Sequence, residues 1–183
     1  MTELSHELLQ AVEILRCAHV DGRQGLPEKL FLLVSSVVPL PNVDLLITDK
    51  AGRLLLARRN DGFFENSWHI PGGCMRYGET LEHCLQRTAR REIGCEVLHE
   101  EAPVAVRSVF RGPNPDLLHP NERGHNIAIL YRCALPDSFL PDNGKLNESD
   151  AGYLKWFHTL PQDFMSIQHV YDDVLTPWTG DQR

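Results

Sequence analysis

The chain has 183 residues, 42% of them hydrophobic, which suits one domain with a core of its own and an appended segment. Its net charge of −7 argues against a general nucleic-acid binder, whose affinity rests on neutralising phosphates, but leaves room for a small phosphorylated substrate held by a few arginines. The five cysteines, Cys17, Cys74, Cys84, Cys95 and Cys133, form no CxxC pair, so neither a zinc site nor a disulfide framework follows and a reducing cytosol fits. The N-terminal stretch carries acidic residues and lacks the apolar core of a signal peptide, and the longest apolar runs are too short to span a bilayer.

In chain order, residues 2–18 repeat Leu4, Leu8, Leu9, Val12 and Leu15 at helical spacing. That predicts an amphipathic helix packed on the domain or on a second subunit, making a homodimer the expected assembly. Gly22, Gly25 and Pro27 break it, and a second short helix follows over 30–38, stopped by Pro39 and Pro41. Residues 1–40 thus form a helical extension to a domain spanning 41–183. Strands are predicted over 43–48 and 53–59 with a turn at 49–52 between them, then a loop over 61–67 and a strand over 68–70. A tight turn at Pro71, Gly72 and Gly73 leads to a helix that starts near Glu79 and Thr80 and stops at Gly94. Further strands are predicted over 95–97, 104–110, 125–133 and 153–157, and a terminal helix over 161–174. The proline-rich stretch 112–123 reads as a lid or binding loop, and 140–152 as an acidic loop. Mixed strands around one long helix, flanked by others, give an α/β sandwich.

One residue of the central helix is out of place. At about 100° per residue, Leu81, Cys84, Leu85, Thr88, Ala89 and Glu92 fall on one arc, while Arg87, Arg90 and Arg91 fall outside it. A carboxylate in the apolar stripe needs a partner: a metal ion, an arginine or a proton. Asp44 likewise alternates within an apolar strand and requires a partner, whose identity stays open. Cys84 and Cys133 sit in apolar patterns as core residues. Cys74 has no evident base beside it to make it a nucleophile.

The residues from Trp68 to Cys95 resemble the Nudix box. Gly73, then five residues, Glu79, seven residues, Arg87, and then Glu92 and Gly94 meet its anchors in register. From Val43 to about Phe157 the order of elements is also similar to that family, which implies an α/β/α sandwich with a mixed sheet, here with an N-terminal helical extension. Thr88 and Arg91 stand where the box carries two further glutamates. Carboxylate clusters let such sites hold several Mg²⁺ ions, so the departures imply a single ion centred on Glu92, or an inactive site.

Within the family, that depleted box is similar to the GDP-mannose mannosyl hydrolase type, as are Asp44, Arg59, Arg87 and Glu92. The resemblance implies one Mg²⁺, or Mn²⁺ in its place, held by Glu92 and by a carbonyl of Gly72 or Gly73. It implies a diphosphate held by Arg59, with Asp44 at the substrate; His125, which opens a strand close to the proline-rich loop, is a further candidate for substrate contact. Cys74 replaces that type's arginine, and the loop before the last core strand lacks its general-base histidine. Glu148 and Asp150 are the carboxylates available there to activate water, and Glu148 could instead be a further metal ligand. Each residue has a plainer reading. Glu92 could form a structural ion pair with an arginine, Glu79 could be a helix-start charge, Arg87 could brace Glu79, and His125 could be an edge histidine. Three activities are therefore expected to compete. They are attack at the sugar C1 of a nucleotide-sugar, attack at phosphorus, and a retired site that only binds.

Overall fold

Strand β1 (Leu40–Ile47) runs through the middle of the protein, described here by a computed structural model over residues 5–18, 20–60, 66–110 and 124–180. Its side chains alternate between two cores, as strand geometry requires. Val43, Leu45 and Ile47 pack with Leu85 and Ala89 of the long helix α3 (Leu81–Glu92). Leu46 packs on the opposite side with Tyr171, Leu175 and Trp178 of the C-terminal segment. Strand β7 (Asn126–Ala134) pairs parallel to β1 from Leu40↔Asn126 to Ile47↔Cys133, and β4 (Gly72–Cys74) pairs antiparallel on the other edge. Two further strands, β5 (Leu98–His99) and β6 (Ala105–Val109), pair antiparallel with β7. A second antiparallel sheet has β2 (Leu54–Arg59) between β3 (Ser67–His69) and β8 (Leu154–Phe157). With α3 on one side and the C-terminal turns on the other, this is the expected α/β/α sandwich with a mixed sheet.

Local signals account for most boundaries. Thr80 caps α3 by accepting from the His83 N–H at 3.2 Å, and Gly94 ends it at φ +83°, where only glycine is unstrained. Burial pushes the Cys84 thiol up to about 11 and the Cys133 thiol up to about 12, as inert core residues. Helix α2 (Glu28–Val37) is tied to the start of β7, because the Ser35 carbonyl accepts from the His125 N–H at 3.1 Å. Helix α1 (His6–Cys17), capped by Ser5, has no buried residue. No helix of the described residues is long and apolar enough to cross a membrane.

Three local expectations are corrected. Residues 72 and 73 belong to strand β4, not to a tight turn: their glycines serve close approach, since a Cβ on Gly72 would meet Asp44 Oδ1 at 2.1 Å and the Val43 carbonyl at 2.9 Å. The strand placed over 95–97 is instead the two-residue β5. The helix placed over 161–174 is a 3-10 turn, Ser166–Tyr171, followed by α4 (Asp172–Leu175) and a second 3-10 turn, Thr176–Trp178. This segment is pinned to β3, where the Met165 N–H donates to the Trp68 carbonyl at 2.8 Å, so its backbone cannot wind as one helix. Most of the 61–67 loop and all of the 112–123 loop lie outside the described residues.

Candidate active site

A cavity of about 1250 Å³ opens where β4, the second half of α3, the end of β2 and the N-terminal helices meet. Asp44, Arg59, Gly72, Gly73, Arg87, Arg91 and Glu92 all line it. The sequence therefore nominated one shared place for most of its candidates, and fold and register explain how. β1 pairs Asp44 with Gly72 and Val43 with Gly73, while α3 crosses β4 and carries Arg87, Arg91 and Glu92 to it.

Arg87 acts as a brace. Its Nε donates to Glu79 Oε1 at 2.5 Å, and its Nη2 donates to Glu79 Oε2 at 2.9 Å and to the Cys74 carbonyl at 2.8 Å. Glu79 also accepts from the Arg76 N–H at 2.9 Å. The pair thus fastens the loop between β4 and α3 to both elements. The Arg87 guanidinium holds the Glu79 carboxyl below its ordinary value, and the carboxylate raises Arg87 in return.

Asp44 is buried and accepts from the Tyr171 hydroxyl at 2.7 Å and from Asn42 Nδ2 at 3.0 Å. Burial, with the Asp44 carboxylate beside it, pushes the Tyr171 hydroxyl far up, so it remains a donor. Tyr171, 127 residues away in sequence, leaves no local signal of this role.

Of the three partners open to Glu92, the structure supplies the arginine. Arg91 donates from Nε to Glu92 Oε1 at 2.8 Å, its Nη2 lies 2.6 Å from the same oxygen, and Nη2 also donates to the Gly72 carbonyl at 2.9 Å. The sequence offers an arginine as one partner for Glu92 without saying which, and the replacement of a box carboxylate by a cation at Arg91 is the signal for this bridge. The donor set does not fit a divalent ion as it stands. Among the described residues no three His, Cys, Asp or Glu side chains converge, and the two expected donors are bridged by a guanidinium.

Three candidates lie elsewhere. Glu148 is exposed and paired with Lys155 at 2.7 Å, on a loop whose Ala151 and Gly152, but not Glu148, line the cavity. Asp150 closes its own turn by accepting from the Asn147 N–H at 2.7 Å. His125 stacks on Phe110, with ring centroids 4.3 Å apart, beside α2 and outside the cavity lining; its Nε2 has no partner among the described residues. The structure thus corrects the placement of the two loop carboxylates and of His125: an ion pair, a turn and a stacking contact already engage them.

The NUDIX domain family model matches residues 38–164. The chain belongs to the Nudix family. Members of the family generally use divalent metals such as Mg²⁺. Over 115 residues the chain is 36% identical to the low-salt glycan biosynthesis protein Agl8 of Haloferax volcanii, covering 63% of this chain and 71% of that protein. It is 41% identical over 73 residues to an RNA pyrophosphohydrolase of Saccharophagus degradans, a match spanning 39% of each chain, about two-fifths of that curated relative's length. Among solved structures, the Nudix fold of a UDP-X diphosphatase superposes with a TM-score of 0.55 at 17% identity, over 97% of this chain and 70% of that one. A MutT Nudix hydrolase from Burkholderia pseudomallei gives 0.53 at 22% identity, over 78% and 99%. These two likenesses concern the fold. The Nudix box of this chain is the β4–α3 unit, and within it Arg91 and Thr88 mark the departures already described.

Proposed function

We propose that this Nudix hydrolase cleaves a nucleoside diphosphate linked to another group, with nucleotide-sugars first and attack at the sugar C1. The observation that carries the reading is one cavity lined by Arg59, by Arg91 and by a single box carboxylate, Glu92, which Arg91 pairs. Two guanidinium forks suit a diphosphate leaving group, since each can donate paired N–H bonds to phosphate oxygens. At about 1250 Å³ the cavity exceeds the range of roughly 300–1,000 Å³ usual for a drug-sized ligand, so it has room for a substrate of two parts. The likeness to a glycan biosynthesis protein supports a sugar as one part.

Glu92 carries the general-base role in this reading. Asp44 already accepts from Tyr171 and Asn42, while Glu148 and Asp150 stand outside the lining. The Mg²⁺ or Mn²⁺ that the resemblance implies has to compete with Arg91 for Glu92 and the Gly72 carbonyl. A homodimer joined through α1, whose Leu8 and Leu9 are exposed, belongs to the same reading; light scattering at two chain masses supports it and at one chain mass overturns it.

The test is hydrolysis of a panel of nucleotide-sugars in ¹⁸O-labelled water, with and without Mg²⁺. Label in the free sugar is the expected result, and Glu92→Gln is expected to lose activity by about 10²-fold or more. Label in phosphate would replace C1 attack by the pyrophosphohydrolase reading. No turnover of any nucleotide-sugar or dinucleotide leaves a retired, ligand-binding site.

A further inference from the structure

We propose that Arg91 is the resident cation of this site, occupying the place of the divalent ion between the Gly72 carbonyl and Glu92 and offering its remaining N–H edge to the substrate's diphosphate. Nη2 lies within hydrogen-bonding distance of both oxygens, so one group spans the pair of donors that the family resemblance assigns to metal. The space for it is built in. A Cβ on Gly73 would lie 2.8 Å from Thr88 Oγ1 and 3.0 Å from Arg91 Nη2, so the bare glycine keeps the guanidinium's present position uncrowded. Divalent ion and guanidinium exclude each other at these donors: both need the same lone pairs, and a Mg²⁺ held at about 2.1 Å from each oxygen would press against a like charge.

The bonds described use Nε and Nη2 and leave Nη1, whose two N–H groups can meet a phosphate oxygen. Arg91 is half exposed, so it can also swing aside without unpacking the core. This assignment rests on the diphosphate reading of the cavity, but its test needs no turnover and so can fail separately.

The probes are Mn²⁺ alone, followed by water-proton relaxation, and inorganic pyrophosphate in the presence of EDTA, followed by calorimetry. Wild-type protein is expected to bind pyrophosphate without metal and to bind Mn²⁺ poorly. Arg91→Gln is expected to weaken pyrophosphate by about tenfold or more and to tighten Mn²⁺ by a similar factor. Adding Glu92→Gln to that variant is expected to remove the gained Mn²⁺ binding. Failure of wild-type protein to bind pyrophosphate without metal, or an unchanged affinity for either probe in Arg91→Gln, overturns the proposal. If Arg91→Gln does not fold, Arg91→Lys is read by the same criteria, since it keeps the charge but cannot span both oxygens with one planar group.

Discussion

Arg87 and Glu79 sit 8 residues apart, bonded at two points, with side chains only 20% and 13% exposed. Removing one member of a shielded pair leaves the other charge without compensation. Arg87→Met is therefore expected to cost about 3 kcal/mol in urea denaturation. Its effect on turnover should follow from loosening of the loop between β4 and α3. The pair also sets an acid dependence. Arg87 depresses the Glu79 carboxyl below its ordinary 4.5, so the folded state binds its proton less readily than the unfolded chain. The resulting stability is complete above the ordinary value and is lost as pH falls through the depressed one. Denaturation midpoints between pH 6 and pH 3 (on the order of the carboxylate range) should fall less steeply in Glu79→Gln than in wild type. Equal slopes would show that Glu79 is not the group responsible. Arg91 differs from Arg87 in degree: half exposed, it ties α3 to β4 through one carbonyl alone, and its other bond is to its neighbour Glu92, which leaves its outer edge open to a ligand.

The short elements β3 and β4 depend on a side chain that imitates a strand. Gln168, itself buried, accepts from the Ile70 N–H at 2.7 Å and donates to the Ile70 carbonyl at 3.1 Å, satisfying the backbone of the residue that follows β3 on the way to β4. Gln168→Leu keeps much of the volume but deprives a buried N–H of its partner and the carbonyl of one of two, since His69 Nδ1 also lies 2.9 Å from that carbonyl. A loss of about 2–3 kcal/mol is expected by thermal or urea denaturation, with hydrogen exchange of the Ile70 amide accelerated ahead of that of β1. An unchanged Ile70 exchange rate would show that the clamp is dispensable. This dependence also marks what sequence could not convey. Helix α3 was legible because Thr80 and Gly94 act within a few residues of its ends. The same glycine signal misled at Gly72, because a glycine needed for close approach to Asp44 looks like one needed for a turn. The C-terminal segment kept its apolar spacing but not its helix, since its backbone is held by residues nearly 100 positions earlier.

At the scale of the molecule, the site draws on segments far apart in the chain, and legibility falls with that separation. Glu79, Arg87 and Glu92 share one motif and were readable together, whereas the bond from Arg91 to Gly72 crosses 19 residues and the bond from Tyr171 to Asp44 crosses 127. The N-terminal extension is the extreme case. The spacing of Val12 and Leu15 predicts an apolar stripe without naming what it meets; in the fold both line the cavity with Leu30, Phe31 and Val34 from α2, while remaining 43% and 44% exposed. Side chains so exposed contribute little to folding but can contact a substrate group beyond the diphosphate. Replacing both, as Val12→Ser with Leu15→Ser, is therefore expected to change stability by less than about 1 kcal/mol. The same variant should raise KM severalfold on the best nucleotide-sugar while leaving kcat close to wild type, because contacts remote from the reacting bond are made equally in ground and transition states. Steady-state kinetics beside a urea titration separate the outcomes. A large stability loss would mean that α1 packs as core, and an unchanged KM would mean that its stripe serves a protein partner rather than the substrate.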